Sequence, residues 1–570
     1  MEKQPEKEFK KSFEISIDEK KAKSHKKILI EGINVYFPYK PYPEQIKYMT
    51  NIIQTLKTGG NISALESPAG TGKTLCLLCS VLGWVKETKN EIRNIYYCAK
   101  TISQINNVLN ELQKTCYKIS SSFLSSRKFA CLSIAESAKI KYDSTILSDM
   151  CKNDMLTCKY HKFFDNFKEN KSFDKKTFYK KYDNLTDIED LLKGGKKDIF
   201  CPYFFNINKT KDFSNITFMS YHYVLNPFVR NKLNIIEENA IIILDEAHNI
   251  CNVFESLFTK KIDEFILIKI QDSLQHLLNK INKEEIDKIY YNELKKNPLS
   301  EFRNKINDEI NKIKVFISKL NTVRSKINKD EIYICTINDF KNLFFKKFEY
   351  SFYARIISSI DEIILTITNK KYEAFNFDYT PYSSDLYHKN KDKCNSDISE
   401  YTTIKKDLKK MKLFLSLLMS VNEKNANSYR LVLSYDIEKN ISFGIYCIDP
   451  SFGMKKFLEI KPYSVILTSG TISINMLENL LQIKFYKTLN NKHIINKNQF
   501  LMNITESHLE QNHTFNHYNK DNDGQIDYLG YGVKRLANSV NKGGILVFFK
   551  SYDYLKKCHD LWIKLIHFLV

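Results

Sequence analysis

Three short stretches combine residue types suited to handling a triphosphate. The run Leu65-Glu66-Ser67-Pro68-Ala69-Gly70-Thr71-Gly72-Lys73-Thr74 sets a glycine-spaced turn, a lysine and a hydroxyl side by side. Gly70 and Gly72 free the backbone to turn tightly and aim its N–H groups inward. Lys73 would reach the outer phosphates, and Thr74 would hold a magnesium ion. Ser67, Pro68 and Ala69 form the entry to the turn, and Ser67 stands where the general pattern G-x-x-x-x-G-K-[ST] has glycine. The second stretch, Asp245-Glu246-Ala247-His248, supplies adjacent carboxylates. Asp245 suits holding magnesium through its water shell, and Glu246 suits orienting and deprotonating an attacking water. His248 could couple that site to a neighbouring domain. The third, Leu467-Thr468-Ser469-Gly470-Thr471, adds the hydroxyls of Ser469 and Thr471 around Gly470, able to relay nucleotide state. Gln45 carries an amide that can pair with an adenine edge. The implied chemistry is binding and turnover of ATP with Mg2+.

These residues need strands to place them. Ile62 to Leu65 reads as a strand, and Leu75-Cys76-Leu77-Leu78 with Val81, Leu82 and Trp84 reads as the buried face of the helix that follows. Ile95 to Ala99 is a second buried strand, with Ser103 and Gln104 opening a helix at its carboxyl end, where ligands sit in open α/β sheets. Ile216 to Ser220 and Ala240 to Leu244 make two more, the latter ending on Asp245. Val465 to Ser469 reads as the last strand of this domain. Prolines in Phe37 to Pro43 fix an extended approach to an amphipathic helix over Ile46 to Leu56. Near the end, Gly543 to Phe549 reads as a strand of a second α/β domain.

The chain has 570 residues, 43% hydrophobic, which suits several globular domains. Neither an apolar run long enough to span a membrane nor a secretory leader is visible, so the expected compartment is cytosolic or nuclear, with no membrane partner. A net charge of +21 suits a polyanionic partner, but only eight arginines occur among abundant lysine, asparagine and isoleucine. Charge alone therefore does not decide for nucleic acid. Residues 1–30 read as a polar basic tail.

Thirteen cysteines argue against a disulfide framework. The interval from Lys73 to Asp245 is far longer than two adjacent βα units need, and Cys131, Cys151, Cys158 and Cys201 fall inside it as C-x19-C-x6-C-x42-C. That spacing matches no zinc ribbon, and the chemistry of four thiolates leaves zinc and an iron–sulfur cluster both open. Asn166 to Asn184 reads as a polar loop. From Leu257 to Arg430 the pattern is mostly helical, with Ile306, Ile310, Ile313, Ile317, Leu320 and Ile327 forming one apolar stripe. Asn376 to Glu400 reads as a disordered loop.

The phosphate loop, the D-E-A-H stretch and Leu467 to Thr471 together resemble the motifs of DEAH-type superfamily 2 helicases of the xeroderma-pigmentosum-group-D kind. The wording from Leu65 to Trp84 is nearest to the telomere-elongation-regulator branch of that family. The resemblance implies an α/β fold: a motor domain with a parallel sheet from 31–115, 206–256 and 431–475. It also implies a 4Fe-4S insertion at 116–205 on Cys131, Cys151, Cys158 and Cys201, an arch-like helical insertion at 257–430, and an incomplete second α/β motor domain at 476–570. It implies a nuclear ATP-dependent DNA helicase moving 5′ to 3′ on single-stranded DNA and duplex junctions, with Ser103, Gln104, Ser469, Gly470 and Thr471 serving either coupling or DNA contact, alongside repair-complex proteins. Ser551-Tyr552 resembles the family's fourth motif. No arginine stands in a Q-x-x-G-R-x-x-R setting, so the expectation is a fragment that binds ATP and DNA but hydrolyses ATP slowly. The alternative is a nucleotide-binding scaffold subunit of a repair assembly.

Overall fold

The structure is a computed structural model. It describes residues 14–88, 92, 94–133, 147–148, 151, 158–169, 174–183, 188–282, 298–324, 332–336, 356–361, 363–364, 403–422, 424–435, 441–495, 497–499, 502, 523–540 and 543–566. Two compact units divide it, Met1–Ile494 and Ile495–Val570.

In the first unit, β1 (Ile15–Ile17) precedes a hairpin of β2 (Lys26–Ile30) and β3 (Ile33–Phe37). There follow β4 (Asn61–Glu66), β5 (Ile95–Ala99), β6 (Tyr117–Ile119), β7 (Ser121–Leu124), β8 (Ile216–Ser220) and β9 (Ile241–Asp245). Then come β10 (Lys260–Asp263), β11 (Tyr333–Thr336), β12 (Tyr429–Tyr435), β13 (Ile441–Cys447), β14 (Ser464–Ser469) and β15 (Lys487–Asn490). The central sheet has the order β15-β4-β14-β9-β5-β8-β7, every pair parallel. A parallel sheet is covered on both faces, so its strands are apolar throughout and feed two cores by alternation. Ile241 and Ile243 of β9 join Ile95, Tyr97 and Ile466 on one face, while Ile242 and Leu244 join Tyr96, Cys98, Val465 and Leu467 on the other.

The polar-tail reading of residues 1–30 needs correction from residue 14 onward. Ile15 and Ile17 alternate as a strand requires, and β1 pairs antiparallel with β6, Ile15 opposite Ile119. Residues 1–13 lie outside the described residues. The edge strand β7 sits within 116–205, so the central sheet continues into the stretch expected to be inserted. The Asn166 to Asn184 loop expectation also fails in part. Lys159–Glu169 and Lys175–Lys180 are helices, the second capped by Asp174, and buried Tyr179 stacks on Phe213 with ring centroids 5.8 Å apart.

Helices Glu264–Asn282 and Pro298–Arg324 pack with residues 403–420 on a separate antiparallel sheet, β10-β13-β12-β11. Its core holds Leu267, Ile270, Ile306, Ile310, Ile313, Leu408, Leu431 and Phe443, with Ile317 packed beside them. Ile306, Ile310, Ile313 and Ile317 of the stripe read on the sequence are therefore core, and Ile327 and Asn376 to Glu400 lie outside the described residues. β12 and β13 belong to this sheet and not to the central one, which the chain rejoins with helix Pro450–Leu458. Nor is β14 the last strand of the first unit. β15 pairs with β4, because Leu489 buries where Leu65 leaves an apolar edge. Among the described residues no helix is long and apolar enough to cross a membrane.

In the second unit, helices Asp523–Ser539 and Tyr552–Ile566 meet where Trp562 Nε1 donates to the Ile526 carbonyl at 2.8 Å. Gly530 admits that indole, since a Cβ there would stand 2.6 Å from Nε1. The strand expected over Gly543 to Phe549 does not form. No strand of this unit lies beside it among the described residues, and Leu546 and Phe548 are exposed. An extended run gains ladder hydrogen bonds only from a neighbour.

Candidate functional site

β4, β14 and β9 are neighbours in register, with Glu66 opposite Ser469 and Thr468 opposite Asp245. The segments that follow these three strands therefore open at one edge of the sheet, the carboxyl end at which α/β folds place ligands. The Lys73 loop and the Asp245-Glu246 pair flank Ser469, on one face of the molecule.

The loop is held from several sides. The Ser67 N–H donates to the Ser469 carbonyl at 3.1 Å, and the Ser67 and Thr71 hydroxyls are 2.8 Å apart. The Thr71 hydroxyl also donates to the Pro68 carbonyl at 2.8 Å. Gly70 and Gly72 sit at φ +80 and +76, where a side chain is strained. A Cβ on Gly72 would meet Gln45 Nε2 at 2.7 Å. Helix Lys73–Thr88 begins at the lysine, and its first-turn amides have no intrahelical acceptor, which leaves them facing any anion above. Lys73 Nζ donates to the Pro68 carbonyl at 3.3 Å. Burial pushes its pKa down, while Glu246 and Asp245 pull it back up. Gly470 packs close: a Cβ there would lie 3.7 Å from both Lys73 Nζ and the Ala69 nitrogen.

Asp245 is buried, and burial raises its pKa against the opposing pull of Tyr97 and Lys73. Its two oxygens are assigned separately. Oδ2 accepts from the Tyr97 hydroxyl at 2.8 Å, and Oδ1 accepts from the Glu246 N–H at 2.9 Å. The Thr74 side chain also acts on the Tyr97 hydroxyl, opposing the rise in its pKa. One phenol thus holds Asp245 and is influenced by Thr74, the two residues expected to hold Mg2+, and their oxygen donors fit a hard cation.

Glu246 has left-handed backbone angles, φ 56 and ψ 43, a conformation that costs a non-glycine residue roughly 1 kcal/mol or more. Its Oε2 accepts from Ser469 Oγ at 2.9 Å, and His248 Nδ1 lies 2.7 Å from the same hydroxyl and 3.2 Å from Oε2. Ser469 has one proton, given to Glu246, so His248 Nδ1 must donate and its Nε2 accepts from Asn249 Nδ2. The Thr471 N–H donates to Ser469 Oγ at 3.4 Å.

The sequence expectation for Gln45 was an adenine contact. Here its Nε2 donates to the Thr71 carbonyl at 2.9 Å and its Oε1 accepts from the Tyr42 N–H at 3.0 Å, so the amide braces the loop. Ser103 and Gln104 sit at the carboxyl end of β5 in a helix-capping box. Gln104 Oε1 accepts from the Thr101 N–H at 3.0 Å, and Ser103 Oγ lies 3.1 Å from Thr101 Oγ1. Sequence reasoning missed Tyr97 and Asn491. Tyr97 reads as one more apolar strand residue, and Asn491 carries no motif.

Cys131, Cys151 and Cys158 are half-buried and Cys201 is buried. Burial pushes the Cys201 thiol up to about 12, and Cys131 and Cys151 act on it electrostatically. Arg127, with its guanidinium 4.0 Å from the Tyr203 ring centroid, interacts with Cys151 and Cys201. Cys158 leads helix Lys159–Glu169, its carbonyl accepting from the His161 N–H at 2.9 Å. The donor chemistry fits a cluster or zinc. Among the described residues no three His, Cys, Asp or Glu side chains stand close enough to hold a metal ion.

Residues 97–267 match the DEAD_2 family. The chain is 28% identical over 593 residues to a protein of Drosophila melanogaster named regulator of telomere elongation helicase 1 homolog, covering 94% of this chain and 58% of that protein. The Aedes aegypti protein of the same name is 28% identical over 610 residues, covering 94% and 57%. This chain therefore spans little more than half the length of these relatives. Among solved structures, an XPD helicase aligns over 91% of this chain and 74% of its own at 19% identity, with a TM-score of 0.45.

Proposed function

We propose that this chain, which matches the DEAD_2 family over residues 97–267 and is similar to the regulator of telomere elongation helicase homologs, is an ATP-dependent DNA helicase of the DEAH superfamily 2 kind. The observation that carries the reading is the meeting of the Lys73 loop with the Asp245-Glu246 pair, Ser469 standing between them. In this reading the loop amides and Lys73 bind the phosphates, Thr74 and Asp245 hold Mg2+, and Glu246 orients the attacking water. Neutralised phosphate charge and an in-line water are what the chemistry needs, and Mg2+ when bound supplies part of the neutralisation. Ser469 and His248 set the Glu246 carboxylate. Ser469 also reaches the loop through the Ser67 N–H, so nucleotide state can pass to Gly470 and Thr471.

Cys131, Cys151, Cys158 and Cys201 would hold a 4Fe-4S cluster, an electron-rich, oxygen-sensitive group that fastens the segments carrying its ligands. The substrate class is single-stranded DNA at duplex junctions, with 5′ to 3′ movement in the nucleus during repair, recombination or telomere maintenance.

Equilibrium binding of a fluorescent ATP analogue, with hydrolysis measured with and without single-stranded DNA, tests this. Lys73→Ala should weaken nucleotide binding at least about tenfold, and DNA should raise the hydrolysis rate of the wild type. Nucleotide binding indifferent to Lys73→Ala would sink the proposal.

A further inference from the structure

The central sheet ends on β15, and the next residue, Asn491, is buried at 5% exposure although no motif contains it. Its backbone N–H donates to the Glu66 carbonyl at 3.0 Å, closing the ladder directly before the phosphate loop. Its side chain goes further. Nδ2 donates to the Glu44 carbonyl at 3.0 Å and lies 3.4 Å from Ser67 Oγ.

These contacts close a ring. Ser67 Oγ meets Thr71 Oγ1, the Thr71 carbonyl accepts from Gln45, and Gln45 follows Glu44, whose carbonyl accepts from Asn491. Thr71 and Gly72 lie on that ring, immediately before Lys73. The hydroxyl of Ser67 gives Asn491 something to hold, which glycine at that position would not. Asn491 lies four residues before Ile495, where the second compact unit begins.

We propose that Asn491 is a positioning residue for the phosphate loop, acting through Ser67 and Glu44, so that nucleotide occupancy and the order of the segment after β15 are linked. This rests on the nucleotide-binding reading of Lys73. By reciprocity, whatever fixes Asn491 tightens the loop for phosphate, and phosphate in the loop steadies Asn491.

Two measurements on the full chain test it. In titrations with a fluorescent ATP analogue and Mg2+, Asn491→Ala and Ser67→Ala should each weaken binding about fivefold, the scale of a lost buried hydrogen bond. The double variant should be no weaker than either single one, since both cut one ring. In hydrogen exchange without nucleotide, Asn491→Ala should speed exchange over residues 67–74 and leave residues 241–245 of β9 protected as in the wild type. Wild-type affinity in Asn491→Ala, additive losses in the double variant, or faster exchange spread equally through β9 would each overturn the assignment. If the wild type itself bound no nucleotide, the function proposed for Lys73 would fall, and the exchange experiment would still decide the role of Asn491.

Discussion

Ser469 Oγ donates to Glu246 Oε2 at 2.9 Å across 223 residues of sequence. The bond exists because β14 lies beside β9 in parallel register, and because the left-handed backbone at Glu246 turns its side chain toward β14. A carboxylate that must align water loses more from a wrong orientation than from a small change in basicity. Ser469→Ala should therefore lower the single-turnover rate of ATP hydrolysis about tenfold with nucleotide affinity within about twofold of wild type, and Glu246→Gln should cost about a hundredfold or more with affinity likewise kept. Rapid-quench hydrolysis beside equilibrium binding separates the two. Equal loss of affinity and rate would mean that Ser469 only supports the fold.

Tyr97 offers a test of the magnesium assignment. Its hydroxyl donates to Asp245, and burial pushes its pKa well above that of a free phenol, so it remains a donor at every working pH. Tyr97→Phe keeps the ring packed against Phe218, with centroids 5.9 Å apart, and removes only that donor. The Mg2+ concentration giving half-maximal binding of the ATP analogue should rise about three- to tenfold, with metal-free binding unchanged. An unchanged Mg2+ dependence would show that Asp245 and Thr74 hold their places without it.

The strands of the central sheet were legible because a parallel sheet buried on both faces writes itself as apolar runs, and Ile241 to Leu244 is such a run. The phosphate loop and Asp245-Glu246 were legible because their chemistry fixes residue types at close spacing. Tyr97 was not, because a buried tyrosine in a strand looks like any aromatic until its hydroxyl partner is known. The bracing role of Gln45 was hidden for the converse reason: an amide that looks free in sequence also holds Tyr42 and Thr71 in space. β12 and β13 alternate correctly as strands, but alternation does not say which sheet a strand joins. Gly543 to Phe549 has the composition of a strand and no neighbour to pair with in its unit among the described residues.

The cysteine assignment leads to an analytical prediction. Chain isolated without oxygen should carry about four irons with matching sulfide. Substituting serine at Cys131, Cys151, Cys158 or Cys201 should lower iron content markedly. Cys116→Ser should not, since Cys116 is buried in the core beside the central sheet. Zinc in place of iron would overturn the assignment.

Glu309 gives the pH prediction. It lies on helix Pro298–Arg324, fully buried, and neither carboxylate oxygen has a hydrogen-bond partner among the described residues. Lys312 Nζ stands 3.6 Å away but is drawn to Asp308 at 2.6 Å and donates to Ser359 at 3.0 Å. Burial pushes the Glu309 pKa from 4.5 to about 7, with Lys312 opposing. The folded chain thus keeps its proton up to about pH 7, while the unfolded chain gives it up near 4.5. The stability that goes with the neutral form is complete below the lower value and is lost as pH rises through the higher one, at a cost reaching about 3 kcal/mol. Glu309→Gln removes the charge and keeps the shape. At about pH 8 it should be more stable than the wild type by about 1 to 3 kcal/mol, and at about pH 3.5, below the lower value, the two should coincide. Denaturant unfolding at both pH values measures the gap. A gap that stayed the same or widened toward acid would show that the buried carboxylate is ionised and paired in the folded chain.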